Sequence, residues 1–171
     1  MNEHHPKVTL RAIEPEDLDL LYRIENDVKL WNIGTSNVPY SRYTLHDYIA
    51  HASGDIYVDR QVRMMIENEA KQVIGIVDIV NFDPSNRRAE LGLVIEEPYR
   101  QRGYAYSTLL AIRHYALNVI HLRQLFAFID ARNVACMKLF RKFGCEESAR
   151  LKDWLFDGVA YHEAVVMQMI L

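Results

Sequence analysis

The spacing of apolar side chains changes several times along the chain, and each change marks an element. Residues 7–13 alternate polar and apolar positions, which predicts a strand. Pro15, followed by Glu16 and Asp17, opens a helix that runs to about Asn26 with Leu18, Leu21 and Tyr22 on its apolar face. Residues 29–42, with Gly34, Asn37 and Pro39, read as irregular, and a second helix follows from about Thr44 to Ala52. Val62–Glu67 and Val73–Phe82 read as strands joined by the polar turn Asn68–Lys71. A second turn at Asp83–Asn86 leads to the strand Arg88–Ile95, with Ala89, Leu91, Leu93 and Ile95 on one face and Glu90, Gly92 and Val94 on the other. After a loop over residues 96–103, Ala105, Leu109, Ile112, Ala116 and Val119 recur at helical spacing. Leu125–Ile129 is a buried strand, and Asn133–Phe143 a helix stopped by Gly144. Cys145–Leu155 and Tyr161–Ile170 form a last pair of strands turned at Asp157 and Gly158. The order β α α β β β α β α β β predicts an α+β fold, a mixed and mostly antiparallel sheet flanked by helices. No repeat or linker interrupts it, so residues 1–171 read as one domain.

Composition narrows the class. Half of the 171 residues are hydrophobic and a quarter charged, enough to build a core and incompatible with a disordered chain. No uncharged apolar run approaches the ~20 residues of a membrane span, and the first residues carry no signal-peptide pattern. Cys136 and Cys145 have no zinc spacing, and the histidines (His4 and His5 read as a mobile terminus) form no metal pattern, so a metal-free protein of a reducing compartment, the cytoplasm, is expected. The net charge of −3 argues against nucleic acid as a partner. The charge is unevenly distributed, however: residues 100–152 hold ten bases and three acids. That segment is either a cationic wall for an anionic ligand or a solvated surface.

The candidate chemistry begins at the junction Leu93–Tyr106, where a strand ends, a basic loop follows and a helix starts at Gly103. A helix N-terminus presents free N–H groups and partial positive charge, and Arg100 and Arg102 add to it. Gly103 lets a ligand approach the backbone, and Ala105 keeps the first turn small. These features predict a pyrophosphate cradle. The pattern Arg100-x-x-Gly103-x-Ala105 alone fits an ordinary strand-to-helix loop equally well, and it is not a P-loop.

The second motif lies thirty residues on: Asn133 after a strand, then a helix carrying Phe140 and Lys142 and ending at Gly144. Together the two stretches resemble the GNAT superfamily of N-acetyltransferases, whose motifs occur in this order and at this spacing. The clear likeness covers about residues 87–145, and the hairpin from Trp154 to Ala164 matches the family's closing hairpin. Within the superfamily the chain looks most like the branch of spermidine and ribosomal-protein alanine N-acetyltransferases.

The resemblance implies acetyl-CoA as cosubstrate, with no metal, held where the strands 88–95 and 125–130 splay apart. It assigns Leu93, Val94 and Ile95 to the pantetheine arm, one of their amides to the thioester carbonyl, Arg100, Gln101, Arg102, Gly103, Tyr104, Ala105 and Tyr106 to the pyrophosphate, and Asn133 to the pantetheine. Acetyl transfer to an amine needs a base, because a lysine-like ammonium with a pKa of about 10.4 has no lone pair. Glu90 is the candidate; a solvated or Arg-paired strand carboxylate is the plain alternative. Many members supply a tyrosine acid where this chain has Phe140, which cannot donate a proton. Tyr106 is then the phenol nearest the cradle in sequence for returning a proton to sulfur, with Tyr99, Tyr104, Cys136 and water as alternatives. Glu25 and Asp27, beside the irregular segment, are the acceptor-binding candidates along with Glu90. The expected reaction is N-acetylation of a primary amine such as a polyamine. A protein N-terminus as acceptor, or a catalytically silent acyl-CoA sensor, are the other readings. The family's habits also imply a homodimer, although no oligomer signature stands in the sequence.

Overall fold

A computed structural model of the chain describes residues 5–31 and 38–171. The first strand, β1 (Thr9–Ala12), leads through a 3-10 turn at Pro15–Asp17 into α1 (Leu18–Glu25). The turn is tied down by charge: Arg11 of β1 donates to both carboxylate oxygens of Asp17, at 2.7 and 2.8 Å, and Asp17 also accepts the N–H of Glu14. Two short helices escaped the sequence reading. Val28–Trp31 (α2) lies in the stretch expected to be irregular; it forms because Asp27 accepts the N–H of Lys29 at 3.0 Å. Ile56–Asp59 (α4) is capped by Asp55, which accepts the N–H of Tyr57. Between them α3 (Arg42–His51) is capped by Ser41, which accepts from Thr44 N. The expectations for Gly34, Asn37 and His4 lie outside the described residues.

The remaining elements are β2 (Val62–Glu67), β3 (Val73–Asp83), β4 (Arg88–Ile95), α5 (Tyr104–Asn118), β5 (Gln124–Asp130), α6 (Val134–Phe143), β6 (Glu146–Phe156) and β7 (Tyr161–Ile170). They form one seven-stranded sheet in the order β1-β2-β3-β4-β5-β7-β6. All neighbours are antiparallel except β4 and β5. That parallel pairing covers three residue pairs, Arg88 with Gln124, Ala89 with Leu125 and Glu90 with Phe126. Beyond them β4 stays on β3 as far as Ile95, and β5 stays on β7 as far as Asp130. The sheet therefore forks at Glu90.

One face carries the main core. Val77, Ile79, Ala89, Leu91, Leu125, Ala127, Val165 and Met167 pack there with Leu109, Ile112 and Ala116 of α5 and with Met137, Phe140 and Phe143 of α6. Each buried Val, Leu, Ile, Met or Phe of this set contributes about 1.5–3 kcal/mol on burial. On the opposite face a smaller cluster joins Leu20 and Ile24 of α1 to Met65 and Ile76, with Val94 alongside. Strand alternation places Glu90 and Gly92 on this second face, as the apolar period predicted.

Candidate active site

The fork is built by strand alternation. The carbonyl of Arg87 faces β5 and accepts the N–H of Arg123, whereas Glu96 N–H turns to β3 and donates to Ile74. The carbonyl of Val94 also faces β3, so close to Gly75 that a Cβ there would stand 2.1 Å away. Leu93 and Ile95 consequently turn their backbone groups into the fork, whereas Leu91 N–H still closes the ladder to β5 through the Glu90–Phe126 pair. Ile95 O is already taken by Arg100 Nε at 2.8 Å. Of the three residues expected along a pantetheine arm, Leu93 and Ile95 face the opening, and the peptide of Val94 is spent on β3.

Past the open end of the fork, α5 begins. Its N-cap is Gly103, at φ 89° with no side-chain cap, and the first helical bond runs from Ser107 N to Gly103 O. The N–H groups of Tyr104, Ala105 and Tyr106 thus lie ahead of any intrahelical acceptor, the arrangement that binds anions. Gln101 shares the left-handed conformation, at φ 59°, and Arg102 is exposed. Ser107 Oγ, one turn in, is buried without a hydrogen-bond partner among the described residues. An uncapped N-terminus, an orphaned buried hydroxyl and an unpaired strand edge in line with both fit an extended thioester that ends in a pyrophosphate. Asn133 sits across the opening, where its side-chain oxygen caps α6 by accepting Cys136 N–H at 3.1 Å.

Tyr106 stands at the mouth. Its ring lies 4.6 Å from that of His5 and 4.8 Å from Lys142 Nζ. His5, expected to be a mobile terminus, is held there because Pro6 packs over Gly103, its Cδ 3.0 Å from where a Cβ would stand. Five residue steps along β4, a rise of about 17 Å, lead from Glu90 to Ile95, and Tyr106 comes after the loop that follows. Phe140 is buried in the main core and has no proton to give. Cys136, one turn earlier, is half-buried, and burial pushes its thiol up to about 11.

Glu90 marks the base of the fork. It is the last residue paired with β5, is half-buried, and accepts a hydrogen bond of 2.7 Å from Asn81 Nδ2. Register partners share a face, so Val80, Asp78 and Arg63 stand beside Glu90 and Gly92. Asp78 binds Arg63 with two bonds, of 2.7 and 2.8 Å, and Glu25 from α1 pairs with the same guanidinium. Tyr48 of α3 lies over it at 5.9 Å, with its phenol raised by burial. Glu25 is therefore held in an internal ion cluster at the fork, and Asp27 in the cap of α2.

Three features of this face had no signal in the sequence reading. One is the Arg63–Asp78–Glu25 cluster, whose members come from separate elements. The second is an aromatic strip on the other limb: Phe126 meets Phe128 edge-on at 5.8 Å, and Phe128 stacks on Trp154 at 5.9 Å. The third is an open cavity of about 570 Å³ that starts at Asn81 and Phe126, either side of Glu90, and continues past Arg88, Gln124 and Gln168. Gly92 within an apolar strand is the one sequence mark of an opening here. At the hairpin end, His162 Nε2 lies 2.5 Å from Asp157 Oδ2, and Arg132 bridges Asp157 to Asp130. No cluster of metal-ligating side chains occurs among the described residues, and no described helix is long and apolar enough to cross a membrane.

Comparison with known proteins agrees with this geometry. The family model of the acetyltransferase (GNAT) domain matches residues 7–146. The spermidine N(1)-acetyltransferase of Escherichia coli (strain K12) is 26% identical over 162 residues, covering 94% of this chain and 84% of the relative. That of Vibrio cholerae serotype O1 is 20% identical over 164 residues, covering 96% and 93%. A crystal structure of the Vibrio cholerae spermidine N-acetyltransferase in complex with CoA and spermine superimposes with a TM-score of 0.85 at 21% identity, over 96% of this chain and 95% of that one. The chain belongs to the GNAT acetyltransferase family and is an acetyl-CoA-dependent N-acetyltransferase.

Proposed function

We propose that the protein acetylates a primary amine that enters the fork from the face of Glu90, with a polyamine such as spermidine as the first acceptor to test. The observation that carries this reading is the fork itself, with a carboxylate at its base and an uncapped helix N-terminus beyond its open end. The names of the spermidine-acetylating relatives support the choice of first acceptor. Bound acetyl-CoA supplies an activated acetyl group and a thiolate leaving group. Glu90 takes the proton of the acceptor ammonium, directly or through one water, and so exposes the nitrogen lone pair. The backbone N–H of Leu93 points where the thioester carbonyl gathers charge. The first turn of α5 and Arg102 hold the phosphates. A thiol of pKa about 8.5 leaves as thiolate with little help, so the loss of the usual tyrosine at Phe140 is tolerable.

The test is thiol release from acetyl-CoA against spermidine, spermine, monoamines and N-terminal peptides, with Glu90→Gln alongside wild type. Turnover with amines, a fall of about 10²-fold or more in kcat for Glu90→Gln and unchanged acetyl-CoA binding are expected. Turnover with peptides alone moves the enzyme to protein N-termini, and binding without turnover makes it a sensor. Tyr106→Phe divides the roles of that residue. A lower kcat assigns it the proton to sulfur, and a higher KM for acetyl-CoA alone, the outcome its place in the first turn of α5 favours, makes it a binding residue.

A further inference from the structure

The surroundings of Glu90 define the kind of amine, granted its place in the acceptor site. The ionic side of the fork is largely self-satisfied: Arg63 lies between Asp78 and Glu25 as a resident cation. The hydrogen bond to Glu90 comes from Asn81, a neutral donor, and among the described residues no salt bridge to Glu90 is made. Glu90 therefore meets an incoming ammonium as a carboxylate that makes no ion pair among the described residues, beside a cluster in which one guanidinium is shared by two carboxylates.

Across from it stands apolar surface. Phe126 is the register partner of Glu90, Phe128 follows on the same face, and Trp154 stacks on Phe128 with an angle of 18° between the rings. Trp154 does not reach that place by regular pairing. The register of β6 on β7 slips between Leu151 and Leu155, and Asp153 adopts φ 50° inside the slip. Such a bulge re-aims a side chain, and here it lays an indole against the limb of the fork opposite Arg63. The indole remains 57% exposed, so the stack keeps an open face.

We infer that Phe126, Phe128 and Trp154 form the apolar wall of the acceptor site, and that the acceptor is a primary amine with a run of methylenes or an aryl group directly beside the amine. The amine lies at Glu90 and the apolar segment runs along Phe128 and Trp154. Trp154 is the residue that sets this preference.

The experiment compares ethylamine, butylamine, hexylamine, phenethylamine and spermidine as acceptors for wild type, Trp154→Ala and Trp154→Phe. For wild type, kcat/KM should rise about fourfold per added methylene until the wall is covered. Trp154→Ala should lose roughly 10-fold or more on hexylamine and phenethylamine, through KM, with ethylamine, kcat and the KM for acetyl-CoA little changed; Trp154→Phe should recover most of the loss. An equal dependence on chain length in wild type and Trp154→Ala, or acetylation indifferent to chain length, overturns the inference while leaving the amine acetyltransferase intact. Should no amine be acetylated, the reading of the function fails separately, and calorimetric titration of the same amines in the presence of CoA still decides the wall. Binding that grows with chain length and is lost in Trp154→Ala supports it, and binding without that dependence overturns it.

Discussion

At the scale of single residues, the site rests on positions whose chemistry is set by what surrounds them. Gly103 holds φ 89° directly under Pro6. A Cβ there pays a left-handed penalty of about 1–2 kcal/mol and displaces the N-terminal segment. Gly103→Ala should therefore lower Tm and weaken acetyl-CoA binding at least several-fold, as a thermal-shift titration would read. The two cysteines make the opposite point. Burial pushes both thiols up to about 11, so only ~0.1% is thiolate at pH 8. Iodoacetamide should leave both unmodified in the native protein at that pH and alkylate them once the protein is unfolded, countable by mass spectrometry. Rapid native alkylation of Cys136 would restore it as a reactive group. Ser107 belongs to this scale too: its buried Oγ is a polar atom without a partner among the described residues.

At the scale of elements, the joins matter more than the elements. Asp17 links β1 to α1 through Arg11. Burial pushes its carboxyl up, but the Arg11 guanidinium and the Glu14 N–H outweigh that and leave it below the usual range. A lowered folded pKa means stability that is fully present above the unfolded value of about 3.9 and is lost as pH falls through the folded one. Asp17→Asn should thus cost about 2 kcal/mol at pH 7, and the difference from wild type should shrink in acid below about pH 4, measured by urea titration across pH. A gap that stays constant with pH would show that the charge of Asp17 is not what holds the join. The β3–β4 join is equally exact in shape. Gly75 lets the carbonyl of Val94 come within 2.1 Å of where a Cβ would be. Gly75→Ala must push β4 away from β3, costing roughly 1–3 kcal/mol and shifting the strand edge that lines the fork. Both lower stability and a raised KM for acetyl-CoA are expected from it. The amphipathic helices, by contrast, were partly readable without these joins. Leu109, Ile112 and Ala116 of α5 are buried and Gly144 ends α6 where the sequence puts them, because local periodicity and a C-terminal glycine are local signals. Val119, however, falls past the end of α5 and is exposed, and α1 buries Leu20, Leu21 and Ile24 instead of Leu18 and Tyr22, because the end of a helix and its rotation on the sheet are set by packing.

At the scale of the whole molecule, the sheet is two antiparallel halves, β1 to β4 and β5-β7-β6, joined by three parallel residue pairs and by a shared core under α5 and α6. A ligand lying along the fork would bridge the halves and bind the folded state alone, so acetyl-CoA at a hundred times its Kd should stabilise the protein by about 2.7 kcal/mol, seen as a rise in Tm that desulfo-CoA reproduces and free pantetheine does so more weakly. No rise with acetyl-CoA would contradict the site. The face of the sheet bearing Glu90 is covered by α1 over β2 and β3, with Tyr48 of α3 over Arg63, and it stays open at the cavity lined by Asn81, Arg88, Gln124 and Phe126 and at the half-exposed indole of Trp154. That uneven cover is what turns one sheet face into an entrance.

The sequence by itself determined the order of the strands and of the longer helices, though not the short α2 and α4, the inward face of β4, the helix that starts at Gly103, and the position of Glu90 on the face away from the main core. Each depends on periodicity, on glycine and proline, or on residues close together in the chain. Only the tertiary structure decided where the parallel pair separates, which backbone edges face the gap, that Glu25 answers to Arg63, that His5 rests on Tyr106, and that a slip in β6 brings Trp154 onto Phe128. Those contacts join residues that are distant in sequence, and their strength lies in desolvation and strand register, quantities that exist only once the sheet has formed.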